Sequence, residues 1–231
     1  MIHASWRTHP AGRVWVGGLY MLAGLVVLAA MALSARVMWP EAKANALAME
    51  HLARVRAWQA PRAPVPTDEL WLHTRLGLAR ALEEVPQHPD LHEAMAYLYL
   101  SAAWRYSHPL IQAPYLKQAV NHLELAIASR PMVPTAWANL AMALHRLDQL
   151  GALGDRPAEV AVMWNAFDRA MAYGQRDSAT QQMLGALAFA RWQELEPLRL
   201  MTLYAMLNQA SAGQERQLRQ LAKAHGVELG Q

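Results

Sequence analysis

The chain begins with a long stretch of apolar positions that no charged residue interrupts. Residues 14–35 carry no charge over 22 positions and consist mainly of Leu, Val, Met and Ala. About 20 residues of α-helix cross the hydrocarbon layer of a bilayer. The pattern therefore predicts a transmembrane helix, which we place at residues 14–39, after an N-terminal tail of residues 1–13.

The residues at the two ends of this stretch fit a membrane span. Trp15 and Trp39 are suited to the headgroup region, and Arg13 and Arg36 flank the apolar core. A cleaved signal peptide is one alternative, because residues 30–32 have the small-x-small form of a cleavage site. The apolar stretch is nevertheless longer than the about 7–15 residues of a signal core. A helix buried in a folded core is the second alternative.

The rest of the chain follows helical rather than strand periodicity. Leu47 and Val55 lie on one face of a helix, and three prolines within residues 60–66 then prevent helix formation. We interpret residues 40–66 as a helix followed by a Pro-rich linker; this helix either continues the transmembrane helix beyond Pro40 or starts at Pro40. β-branched residues are sparse after Val37, whereas the helix formers Ala, Leu and Met are frequent. The sequence therefore predicts an all-α fold.

A repeated pattern of small and large residues follows the Pro-rich segment. Its clearest copy has one apolar helical face, a proline that ends the helix, and a second apolar face. The members of this copy are Ala119, Leu123, Ala126, Pro131, Trp137, Leu140, Ala141 and Leu144. Weaker copies are formed by Thr74, Leu78, Ala81, Pro86, His92, Met95, Ala96 and Tyr99, and by Met163, Phe167, Ala170, Leu184 and Gly185.

This pattern resembles the tetratricopeptide (TPR) repeat, in which helix pairs stack because no unit buries its apolar face alone. The resemblance implies a TPR-like α-α superhelix over residues 67–195, which follows the single N-terminal transmembrane helix predicted from the apolar stretch. Residues 196–231 would form C-terminal capping helices. The units are 44–45 residues apart, against roughly 34 in the usual repeat. We expect the additional residues between the two helices of each unit, at residues 104–115 and 150–160.

The TPR resemblance also implies a binding site. In TPR proteins the first helix of each unit lines a concave surface, which here would form a peptide-binding groove. Carried over by position, the residues that line this groove are Glu93, Tyr97, Asn139, Met142, Arg146 and Phe189.

Composition and charge exclude several other functions. The chain contains no cysteine, which excludes disulfides and thiolate chemistry. Three of the 21 Lys and Arg precede Pro40 and all 18 Asp and Glu follow it, so the remainder is neutral overall. Nucleic acid is therefore not expected as a partner. His88 and His92 are spaced as metal ligands on one helix would be, but Pro89 begins a helix between them.

Known catalytic motifs are missing from the sequence. It contains no Gly-x-Ser-x-Gly elbow, no phosphate loop and no dinucleotide-binding fingerprint. We therefore predict no catalytic residue, no metal site and no cofactor, and we do not expect an enzyme. The expected partners are other proteins, together with the lipid bilayer that residues 14–39 cross.

A second resemblance suggests a biological setting. Residues 130–141 resemble the corresponding run of VpsP-type proteins of polysaccharide biosynthesis loci, which have one N-terminal span and a similar length. This implies a scaffold of the inner membrane that serves exopolysaccharide assembly or export. A short basic tail before a long domain favours a periplasmic C-terminal domain. Alternatives are a chaperone or translocon adaptor of the YfgM kind, a TPR subunit of cytochrome c maturation, and an enzyme with an unrecognised site.

Overall fold

The computed structural model describes residues 11–60 and 62–230, with side chains from Tyr20 onward except at Val37. This part of the chain contains nine α-helices, a short 3-10 helix at Trp192–Glu194 and no β-strand, which confirms the all-α prediction. The helices are α1 (Ala11–Trp58), α2 (Asp68–Glu84), α3 (Pro89–Arg105), α4 (Pro109–Ser129), α5 (Pro134–Gln149), α6 (Arg156–Tyr173), α7 (Ser178–Ala190), α8 (Pro197–Gln209) and α9 (Ala212–Ala224).

Helix α1 is 48 residues long and lies in two different environments. Between Tyr20 and Trp39 its large apolar side chains are 57–78% exposed, so a buried core helix is the wrong interpretation of this segment. Within the described residues, α1 is the one helix long and apolar enough to cross a membrane. Residues 1–10 of the predicted N-terminal tail lie outside the described residues. Residues 11–13 of that tail belong to α1.

The C-terminal half of α1 packs against other helices of the protein. Ala44, Ala48 and Val55 are almost fully buried on one face, and this face packs against α2 and α3. Pro40 lies inside α1 rather than at a helix start. The Pro-rich segment comes after α1 and leads into α2, which Thr67 caps. The packed helices therefore follow the apolar segment directly, without a linker.

The helices pack in sequential order as a stack of hairpins. The closest pairs are α1 with α2, α3 with α4, and α5 with α6, and α4 also packs extensively on α5. Helices α5 and α7 lie side by side, and α9 rather than α8 is the main partner of α7. Two helices thus occupy residues 196–231, and Leu203 and Leu218 join them to the main core.

Side chains at equivalent positions of the predicted repeat are buried in successive hairpins. Three sets of equivalent residues from successive hairpins are buried, with exposed fractions of at most 3%. These sets are Leu78, Leu123 and Phe167; Ala81, Ala126 and Ala170; and Met95, Leu140 and Leu184. Small residues at Ala96, Ala141 and Gly185 also lie in the interior, where they allow close helix approach.

One hydrogen bond recurs at the start of three successive hairpins. In each, a side chain in the first turns of the helix donates to the carbonyl six residues earlier, in the loop before the helix. The pairs are His92 Nε2 to Pro86 at 2.8 Å, Trp137 Nε1 to Pro131 at 2.7 Å, and Gln181 Nε2 to Gln175 at 2.6 Å. Three unlike residues at one repeat position therefore share one function, which is to hold the loop against the helix.

The additional residues of the first unit do not form the loop that we expected at residues 104–115. Helix α3 continues to Arg105 and α4 begins at Pro109, so most of residues 104–115 is helical. Proline suits the first turn of a helix, and the His108 side chain caps that turn. In the next unit a loop does occupy residues 150–155, and Asp155 caps α6. The additional length therefore lies mainly in longer helices.

Gly77→Ala tests the contact between α1 and α2. A Cβ at Gly77 would overlap the imidazole ring of the buried His51. Overpacking of this kind costs about 1–3 kcal/mol, more than the gain of about 1 kcal/mol in helix propensity. We expect a lower free energy of unfolding in urea, measured by circular dichroism on the full chain in detergent.

Gly213→Ala is the matched control, because this helical glycine has no neighbouring atom within 4 Å of an added Cβ. It should leave stability unchanged or raise it. In a His51→Ala background the effect of Gly77→Ala should disappear. Equal stability of the Gly77→Ala and Gly213→Ala variants would contradict the close approach of the two helices.

Candidate binding groove

A cleft of about 690 Å³ opens between the first helices of successive hairpins. Helices α1, α3, α5 and α7 each contribute residues to its walls, together with Leu123 of α4. The polar lining consists of Gln59, Glu93, Tyr97, Thr135 and Asn139, and the larger apolar lining residues are Trp58, Leu100, Leu123 and Met183. The cleft therefore combines apolar walls with dispersed donors and acceptors.

The structure brings three of the six predicted groove residues together. Glu93 and Tyr97 of α3 and Asn139 of α5 all line this cleft. Phe189 does not line it, because its side chain is 2% exposed and packs beside Trp192. Phe189 is one repeat after His145, which is also buried, so its position is an interior one.

The two remaining predicted residues lie outside the cleft lining. Met142 is partly buried against the main core. The Arg146 guanidinium lies over the Trp104 ring, 5.9 Å from its centroid, and donates to Gln112 Oε1 at 3.0 Å. Arg146 therefore stabilises the corner between α3 and α4.

The acidic group of the cleft is held by an ion pair. Arg130 donates to Glu93 Oε1 at 2.7 Å and also pairs with Asp90 at 2.5 Å. Burial raises the pKa of Glu93, while the positive charge of Arg130 opposes this shift. Because Arg130 follows α4 and Glu93 lies on α3, the ion pair fixes one rim of the cleft.

A hydrogen bond closes the side of the cleft next to α1. The Tyr97 hydroxyl donates to the Trp58 carbonyl at 2.8 Å, which joins the last turn of α1 to the middle of α3. Burial raises the pKa of Tyr97. The Asn139 amide differs, because no side chain among the described residues hydrogen-bonds to it. Asn139 can thus offer its NH2 group as a donor and its amide oxygen as an acceptor to a ligand in the cleft.

A buried charged network lies at the C-terminal ends of α5 and α7. Arg191 is 5% exposed and donates from Nε to His145 Nδ1 at 2.8 Å. It also pairs with the buried Asp148 and, at 2.7 Å, with Glu194. Arg156 is the second partner of Asp148, at 2.6 Å. These groups satisfy one another, so the network joins the two helix ends.

Two histidines form a second polar contact, between α3 and α4. His92 Nδ1 lies 2.9 Å from His122 Nδ1. His92 donates from Nε2 to the Pro86 carbonyl, so its Nδ1 accepts the bond that His122 donates. Burial lowers the pKa of His122 to about 4, and the neighbouring His92 adds to this shift. The neutral ring stacks on Tyr99, with centroids 5.6 Å apart.

The cleft lining offers hydrogen-bonding groups and apolar side chains. In the described part of the chain, no group of three or more His, Cys, Asp or Glu side chains is arranged to hold a metal ion. Glu93 is engaged by Arg130, and Tyr97 by a backbone carbonyl. The polar side chains of Gln59, Thr135 and Asn139 and the apolar walls therefore face the cleft without a described side-chain partner.

Arg191→Met tests the buried network. Removing the guanidinium deprives Asp148 of one of its two cationic partners in a site where both side chains are almost inaccessible. Loss of one member of a buried ion pair costs about 3 kcal/mol or more. We expect a decrease of this size in the free energy of unfolding in urea.

Arg219→Met is the matched control, because Arg219 is 45% exposed and pairs with Glu215 within one helix. Surface pairs of this kind contribute little, so the change should stay within about 0.5 kcal/mol. If the two substitutions had equal effects, Arg191 would not act as a buried connection between α5 and α7.

Comparisons with known proteins do not assign the chain to a family. No family model, no curated protein and no solved structure matches it. The functional interpretation therefore depends on the geometry of the cleft, the exposed apolar segment of α1 and the chemistry of the residues around them.

Proposed function

We propose that the protein is a membrane-anchored adaptor whose cleft binds an extended segment of another protein. The observation that carries this proposal is the cleft of about 690 Å³ between α1, α3, α5 and α7. An extended peptide presents backbone donors and acceptors together with side chains of varied polarity. Asn139 matches the backbone groups, and Trp58, Leu100 and Met183 match apolar side chains.

The anchor in this proposal is the apolar half of α1. Its exposed Leu, Val and Met side chains are suited to lipid, and the 20 residues from Tyr20 to Trp39 would extend about 30 Å as a helix. We place this helix in the inner membrane of a bacterial envelope. The packed helices then lie in the periplasm, where the cleft meets other envelope proteins.

A narrower assignment rests on residues 130–141 alone. Their resemblance to VpsP-type proteins supports a role as an accessory of exopolysaccharide assembly or export. Arg130 and Trp137 have structural roles in this chain, as an ion pair and a loop hydrogen bond. The resemblance therefore supports a shared fold more directly than a shared partner. A chaperone adaptor and a cytochrome c maturation subunit remain the alternatives, and the identity of the bound protein distinguishes them.

Asn139→Ala tests the cleft as a peptide site. The full chain in lipid nanodiscs is used to select peptides from a displayed random library, and their affinities are then measured by fluorescence anisotropy. Loss of one neutral hydrogen bond should weaken binding about fivefold to tenfold. The selected peptides should also compete with one another for a single site.

Asn121→Ala provides the matched control, because Asn121 is exposed on α4 and does not line the cleft. This variant should bind the same peptides with unchanged affinity. Equal weakening by both substitutions, or binding that neither affects, would show that the peptides do not occupy the cleft. Failure to enrich any peptide would count against peptide recognition itself.

A further inference from the structure

We propose that the packed helices lie with one edge against the surface of the bilayer. This membrane-proximal edge consists of three four-residue loops, residues 85–88, 130–133 and 174–177. The inference rests on the membrane anchor of the proposed function and adds a second lipid contact to it. It also fixes which side of the helical stack faces the membrane.

No spacer separates the apolar segment of α1 from the packed helices. Lys43 Nζ pairs with Glu84 Oε1 at 2.6 Å, and Asn45 Oδ1 lies 3.3 Å from His88 Nε2. Lys43 is four residues beyond Trp39, which corresponds to about 6 Å along the helix. The end of α2 and the first loop therefore lie close to the point where α1 would leave the bilayer.

The three loops lie in a row. Helices that pair as hairpins alternate in direction, so the loops after α2, α4 and α6 fall on the same side of the stack. Ser129 Oγ donates to the Gln87 carbonyl at 3.1 Å, which joins the second loop region to the first. Gly174 belongs to the third loop, and Pro134 directly follows the second. The two residues are so close that a Cβ added to Gly174 would lie 2.9 Å from the Cβ of Pro134.

The loop tips carry exposed apolar and cationic residues. Met132 is 66% exposed although it is a large apolar residue, and the neighbouring Pro131 is exposed as well. The exposed tip residues of the other two loops are Pro86 and Gln87, and Gln175 and Arg176. Apolar side chains at headgroup depth and a nearby cation are the contacts that an interfacial surface provides. The loop tips therefore offer an exposed Met side chain, exposed prolines and a cation to a headgroup layer.

The chain contains no cysteine, so single-cysteine probes test this orientation directly. Three full-length variants, Met132→Cys, Leu110→Cys and Met31→Cys, are labelled with an environment-sensitive fluorophore. They are placed in vesicles of phosphatidylcholine and phosphatidylglycerol that contain lipids with headgroup or acyl-chain nitroxides. Leu110 is the matched control, because it is 79% exposed and lies at the other end of α4. About 28 Å of helix separates it from the loop that contains Met132.

We expect the headgroup nitroxide to quench the probe at residue 132 several-fold more strongly than the probe at residue 110. The acyl-chain nitroxide should quench the probe at residue 31. Equal quenching at 132 and 110, or stronger quenching at 110, would overturn the proposed edge while leaving the anchor intact. No quenching at residue 31 would overturn the anchor, and the proposed edge with it.

Discussion

Burial of one face of α1 is the interaction on which the rest of the structure depends. Ala44, Ala48 and Val55 bring α2 and α3 against the same helix that carries the exposed apolar segment. The close approach of Gly77 to His51 allows α2 to lie along this face. Each later hairpin then stacks on the one before it, so the orientation of the whole array follows from α1.

The cleft is a consequence of this stacking. The first helices of four successive hairpins lie side by side, and their facing residues leave a concave surface. The Glu93–Arg130 ion pair and the Tyr97 hydrogen bond hold its rim and one wall, while Asn139 remains open. In the proposed orientation the cleft opens above the bilayer surface, so a ligand would be held near the membrane.

Sequence periodicity predicted the all-α fold and the repeat register because buried positions recur at fixed spacing. It left open whether the first helix continues through Pro40 or a new helix starts there, since a proline also suits a helix start. Helix lengths were misjudged for a related reason, as Pro109 begins a helix instead of extending a loop. Packing of the first helix pair then places residues 41–58 within the array.

The candidate site was only partly predictable. Position in the repeat placed Glu93, Tyr97 and Asn139 on the cleft, but it did not show that Phe189 lies under the C-terminal residues that follow α7. The His145–Arg191 contact joins residues 46 positions apart and leaves no local signal in the sequence. The shared hydrogen bond of His92, Trp137 and Gln181 was hidden because three chemically different side chains form it.

The continuity of α1 is tested most directly by a distance between spin labels on either side of Pro40. Leu33 and Met49 are both exposed, and 16 residues of helix separate them by about 24 Å along the axis. Double electron–electron resonance on the full chain in nanodiscs, with Leu33→Cys and Met49→Cys, should give one narrow distance distribution consistent with a single helix. A broad distribution, or two separate distances, would show a flexible joint at Pro40 and contradict the account.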